Sequence, residues 1–130
     1  MKGVSECAVL TIALAALAQP VLARTSLNCS TRKVVFISAP SGETSSARDE
    51  PLSFWVDDEA KTLSFLDNTP LNVTRFDRFW ISADRDSIFY EFDRRDGTLS
   101  YASSTTNDSI STTIVGSGRC QALPNRDPPP

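Results

Sequence analysis

Carboxylates lie in short clusters along this 130-residue sequence: Asp57-Asp58-Glu59, Asp84 with Asp86, and Asp93 with Asp96. Two carboxyl groups held a few ångströms apart can act as acid and base in glycoside hydrolysis. Each cluster, however, coincides with a break between apolar-alternating runs. Aspartate bonds readily to its own backbone and is a turn former. None of the clusters has the glycine and ligand spacing of a calcium loop. The expectation is therefore solvated turns, with a carboxylate-based hydrolase as the third-ranked function. Arg75, Arg78, Arg85, Arg94 and Arg95 interleave with Asp77, Asp84, Asp86, Asp93 and Asp96, a pattern of surface ion pairs. Serine and threonine are abundant from Ser100 to Thr113, but a serine nucleophile needs a base. The sequence has no histidine, and a Ser-Lys arrangement would have only Lys33 or Lys61 to draw on. The usual general base and the commonest transition-metal ligand are thus missing. No catalytic, cofactor-binding or metal-ligating residue is assigned, and no cofactor is expected.

Aromatic residues give the more useful lead. Alternation along the apolar runs puts Trp55 with Ser53 and Asp57, away from Phe54. It puts Trp80 with Ser82 and Asp84, away from Phe79 and Ile81, and Phe89 with Glu91 and Asp93. Rings on an otherwise polar face can stack on sugars or anchor a protein partner. Trp55, Trp80 and Phe89 are the candidate binding surface, with Trp55 and Trp80 expected on one side of the molecule, apart from a core of Phe54, Ile81 and Tyr90. The competing reading is that a loop or a second layer covers these rings.

The runs that carry these residues are short, alternate with period two and end in turn residues, an all-β pattern with no helical period. Leu27-Asn28-Cys29-Ser30 and residues 33–38 read as one interrupted strand or two. Residues 39–51 read as a long polar loop. Leu52-Ser53-Phe54-Trp55-Val56-Asp57 and Thr62-Leu63-Ser64-Phe65-Leu66 read as an antiparallel pair, with Leu52, Phe54 and Val56 sharing a face with Leu63 and Phe65. Residues 71–76, 79–83, 87–93, 99–101 and 109–115 supply the other strands. Arg94-Arg95-Asp96-Gly97-Thr98 fits a type I turn closed by a glycine bulge. The expected fold is an antiparallel meander of about seven or eight strands forming a small barrel or sandwich.

The N-terminus has the three-part pattern of a secretion signal. Lys2 precedes an apolar run from Cys7 to Ala18, and Val21-Leu22-Ala23 places compact residues at the peptidase positions. Cleavage is expected after Ala23, with Ala18 as the alternative. The run is too short to span a membrane, and Cys7 lies at its start rather than at its end, where a lipid anchor would need it. Cys29 and Cys120 then remain, and an even pair in an exported domain points to one disulfide. The expected organisation is a signal peptide at 1–23, one β-domain at 24–123 and an extended Pro-rich tail at 124–130. Net charge is −3, to which Lys2 and Glu6 contribute nothing on balance. An acidic chain is a poor match for nucleic acid or for an anionic membrane surface. Asn28-Cys29-Ser30, Asn72-Val73-Thr74 and Asn107-Asp108-Ser109 also match the short N-glycosylation pattern, which matters only in a eukaryotic secretory route.

Leu27-Asn28-Cys29, the unit Ile88-Phe89-Tyr90-Glu91-Phe92-Asp93-Arg94 leading to Gly97-Thr98-Leu99, and the closing Gly118-Arg119-Cys120 resemble small exported all-β proteins of unknown function from proteobacteria. The resemblance implies a periplasmic or secreted β-domain and brings no activity and no site residues. Small exported β-barrels that inhibit lysozymes or proteases share the size and single disulfide, without sharing their inhibitory loops with this chain. The first expectation is a non-enzymatic binding or envelope-associated module whose partner is a protein or carbohydrate of the envelope. The second is an inhibitor of a secreted enzyme, with residues 39–51 as its protruding loop.

Overall fold

The computed structural model describes residues 24–124. The expected signal peptide and its cleavage sites lie outside the described residues, as does the expected tail apart from Pro124. Alternation of apolar and polar residues produces eight strands: β1 (Arg24–Ala39), β2 (Gly42–Asp57), β3 (Thr62–Phe65), β4 (Asn72–Phe76), β5 (Trp80–Arg85), β6 (Ile88–Asp93), β7 (Thr98–Asn107) and β8 (Ile110–Pro124). There is no helix among the described residues, and so none long and apolar enough to cross a membrane.

All neighbours are antiparallel, in the order β3-β2-β1-β8-β7-β6-β5-β4. The first and last strands therefore pair in the middle of the sheet. The sheet curls until its two edge strands meet. A Ser64↔Pro70 bridge and a 2.9 Å hydrogen bond from the Leu71 N–H to the Leu63 carbonyl tie β3 to the residues leading into β4, giving a nearly closed barrel. One face of every strand fills the interior. Phe54, Ile81 and Leu99 are fully buried, and Leu27, Val56, Leu63 and Phe92 pack around them. A run of rings crosses this core, with Phe54–Phe65, Phe54–Tyr90 and Tyr90–Tyr101 centroids 5.3, 5.8 and 5.8 Å apart. Where the core ends, the Thr31 hydroxyl lies 2.8 Å from the Tyr101 hydroxyl and donates to the Glu50 carbonyl at 2.6 Å, so the buried polar groups are paired.

The β6–β7 turn places Gly97 at a positive φ as expected, but it is a four-residue loop, 94–97, between the directly paired Asp93 and Thr98, without the expected bulge. Gly97 has φ +76°, which a residue without a Cβ adopts freely, and its N–H donates to the Asp93 carbonyl at 2.9 Å. Residues 39–51 correct the expectation of a long loop. Only Pro40 and Ser41 turn, and β2 begins at Gly42 and pairs with β1 throughout, from Ala39↔Gly42 to Arg24↔Asp57. The early part of β2 is exposed on both faces, so its backbone bonds rather than a buried face hold it in place.

The strands are unequal in length, and this shapes the surface. β3 pairs with β2 only over residues 54–57, and β6 pairs with β7 only over residues 98–102. Beyond those points β2, β1, β8 and β7 continue alone as a four-stranded arm that overhangs one end of the barrel. Pro51 and the charges of Arg48, Asp49 and Glu50 sit along the free edge of β2, residue types that discourage strand addition.

Candidate functional site

Cys29 and Cys120 are directly opposite each other on β1 and β8 and are bonded, with S–S 1.99 Å and Cα atoms 3.9 Å apart. Cys29 is buried against the core and no other cysteine lies among the described residues, so this bond is structural.

The clustered carboxylates sit in the turns or at the strand ends beside them, except Asp84, which lies within β5. Asp57 Oδ1 accepts the N–H groups of Glu59 and Ala60 at 3.0 Å each, and Asp77 Oδ1 accepts those of Phe79 and Trp80 at 2.8 Å each. These backbone bonds, and then the Arg75 side chain 2.9 Å away, lower the Asp77 pKa to about 2. Asp93 is lowered chiefly by its bond to Arg95, and Asp67 by bonds to Thr69. Asp58 and Asp77 line one shallow groove at the turn-bearing end of the barrel, with Lys61, Phe76, Arg78 and Arg94. Asp58 is held by Arg94 at 2.8 Å. General acid catalysis requires one carboxyl with a raised pKa, whereas Asp77 is held as a tight anion and Asp58 is ion-paired. No group of three His, Cys, Asp or Glu among the described residues is placed to hold a metal ion.

The three candidate rings all point out of the barrel, as alternation predicts, but they do not form one site. Trp55 is half-buried, with the Arg24 guanidinium 4.2 Å from its ring centre. Trp80 is half-buried beside Arg75 and Arg95, at 5.8 and 5.2 Å. Trp55 is on β2 and Trp80 on β5, three strand positions apart around the closing barrel through β3 and β4. Their outward directions diverge, which corrects the expectation that they share one side. Cationic side chains stack on both, and such contacts stabilise the outer wall. Phe89 differs. It is 65% exposed, the most exposed large apolar side chain of the described residues.

The register shows what accompanies Phe89. Directly opposite it on β7 is Ala102, opposite that on β8 is Val115, then Val34 on β1 and Ala47 on β2. Residues directly opposite in a sheet point to the same face. Ala47, Val34, Val115, Ala102 and Phe89 therefore form one apolar row across five strands. Phe36, two residues from Val34, lies beside it and is 47% exposed, and Val115 is 39% exposed. A groove lined by Phe36, Ser38, Glu43, Ser45, Ser111 and Thr113 continues the stripe toward the tip of the arm.

No protein-family model matches the chain, and no curated protein or solved structure matches it either.

The stripe is the candidate binding face, and of the three residues expected there it contains only Phe89. Val34, Phe36 and Val115 were missed because each belongs to a strand whose other residues read as ordinary β-formers. The only local signal was Lys33-Val34-Val35-Phe36-Ile37, five residues in which alternation gives way to apolar side chains on both faces. Such a run belongs to a strand covered on both sides or to one carrying an interaction surface.

Proposed function

We propose that this chain is an exported, non-enzymatic binding module of the cell envelope, periplasmic or secreted, that docks a protein through the outer face of its β-arm. The observation that carries this reading is the apolar stripe of Phe36, Val34, Val115 and Phe89 on a face with no covering layer among the described residues. An uncovered, contiguous apolar patch on a small domain marks an interaction site. Export is supported by the disulfide, a bond that persists in oxidising compartments, and by the N-terminal signal pattern. An apolar outer surface without a deep polar cleft favours a protein partner over a carbohydrate. Inhibition of a secreted enzyme is the second reading, favoured by the arm, whose two hairpin tips overhang the barrel.

The test compares the disulfide-bonded chain with a Phe36→Ser/Phe89→Ser variant. Each is immobilised and challenged with a solubilised envelope fraction, and both are assayed against chromogenic glycosides. The wild type should retain a defined component that the variant loses, and neither should release chromophore. Equal retention by both, or hydrolysis by the wild type, would refute the proposal. N-terminal sequencing of envelope or medium protein should read from near Arg24, and intact Met1 in the cytoplasm would rule out export.

A further inference from the structure

We propose that the partner binds by adding a strand to the free edge of β7: an extended segment of a second protein, uncharged where it pairs, lies along Ser104 and Thr106 and rests an apolar side chain on Phe89. This rests on the reading of the arm as a binding surface and names the conformation of its occupant. The phase of the ladder decides which backbone groups are on offer. The Cys120 N–H donates at 2.7 Å to the carbonyl of Gly97, its opposite in the register that runs without a shift from Thr98↔Arg119 to Asn107↔Ile110. Bonded and non-bonded pairs alternate along an antiparallel ladder. Ser103, Thr105 and Asn107 therefore bond to β8, while Ala102, Ser104 and Thr106 turn their N–H and C=O groups the other way. Ala102 meets β6 in the last pair of that ladder, Phe89↔Ala102. Ser104 and Thr106 lie past it, exposed, with no strand beside them among the described residues.

Donors and acceptors set at strand spacing are matched by another strand. The arm has two such edges, and only one is guarded. Along β2 stand Glu43, Arg48, Asp49 and Glu50, and Pro51 has no N–H to offer. Along β7, residues 103–107 are Ser-Ser-Thr-Thr-Asn, with no charge, no proline and no bulge. An added strand antiparallel to β7 continues the line of β6. Its residue opposite Ser104 points to the outer face, about 6.8 Å beyond Phe89 in the same line. That position explains why a ring 65% exposed stands there: it is a seat for the apolar side chain of the incoming strand. Because β6 fills the line from Phe89 onward, only a short segment pairs. Main-chain bonds supply the attraction and the contact with Phe89 supplies the selectivity.

The test titrates the disulfide-bonded chain with the synthetic strand Lys-Thr-Val-Thr-Val-Thr-Lys and follows backbone amides by NMR. The signals of Ser104, Thr106 and Phe89 should shift, and the Ser104 and Thr106 amides should exchange more slowly with solvent. With the valines opposite Ser104 and Thr106, N-methylation of both valines should abolish binding, whereas N-methylation of the central threonine should leave it intact. Ser104→Pro removes an outward N–H and leaves the bonds to β8, which run through the neighbouring residues, so it should fold and bind the peptide roughly tenfold more weakly. Thr106→Pro should do the same, and circular dichroism and a thermal melt confirm that each variant folds. Unmoved Ser104 and Thr106 signals overturn the proposal, as do equal binding of the two methylated peptides or full affinity in a folded proline variant. If the edge fails these tests while the Phe36→Ser/Phe89→Ser variant still loses an envelope component, the binding-module reading stands without strand addition. If the peptide binds the edge as described but that variant loses nothing, strand addition stands and the stripe is not the docking face.

Discussion

Asp77 shows how far a single residue's chemistry follows from its place in the chain. It ends the β4 run, and its Oδ1 caps two backbone N–H groups while Oδ2 takes the Arg75 Nε. Those bonds hold its pKa at about 2, below the ordinary 3.8. A carboxylate depressed in the folded state contributes stability above its unfolded pKa and loses it as pH falls through the folded value. Its contribution is therefore full above about pH 4 and fades down to about pH 2. NMR titration should place the Asp77 side-chain midpoint near the lower figure, and Asp77→Ala should flatten the fall of stability across that window. A midpoint near 4 would contradict this account. The turn role of the aspartates was legible because it is a local property, set by two or three neighbouring residues. The guanidinium groups over Trp55 and Trp80 were not. Arg24 and Trp55 are brought together only by the pairing of β1 with β2, and Arg95 meets Trp80 only through that of β5 with β6.

Among the elements, the strands that bury a face were readable and the exposed ones were not. Phe54↔Phe65 and Val56↔Leu63 pair as the shared apolar face of β2 and β3 required. The first ten residues of β2 have no buried face to announce them, and so read as loop. The β7–β8 hairpin was obscured for another reason. Asp108 and Ser109 both have positive φ, 50° and 70°, in a two-residue connection between Asn107 and Ile110. Such turns favour glycine at the second position, and serine there does not mark one. The left-handed conformation costs a non-glycine residue roughly 1–2 kcal/mol, partly offset by glycine's greater freedom when unfolded. Ser109→Gly should therefore stabilise the chain by about 0.5–1 kcal/mol in denaturant titrations. A loss of stability would show that serine contributes something at the arm's tip beyond the turn. Gly116 shows the opposite relation between glycine and structure. It lies inside β8 without a positive φ. The ring of Tyr101 fills the space its Cβ would need.

At the scale of the whole molecule, the barrel is closed at β1–β8 and left weakest at β3–β4, and the disulfide stands on the strong side. β1 and β8 pair from Thr25↔Pro124 to Ser38↔Ser111, so the native state does not need the bond to keep those strands together. Its effect lies in the unfolded chain, where it ties residues 91 apart in sequence. A loop of that length loses about 4–5 kcal/mol of closure entropy in the chain model. This predicts a particular pattern for Cys29→Ser/Cys120→Ser. The variant should retain the wild-type circular dichroism in water, while its slowest-exchanging strand amides lose hydrogen-exchange protection in step with the lost global stability. It should unfold at lower denaturant, with a loss of about 2–5 kcal/mol, a large share of a small domain's total. Because the cross-link makes the unfolded chain more compact, the variant's transition should also be steeper than that of the wild type. If the double variant instead loses its tertiary signal in water, the bond holds the β1–β8 ladder in the native state, and the long pairing between the terminal strands is its consequence rather than its support.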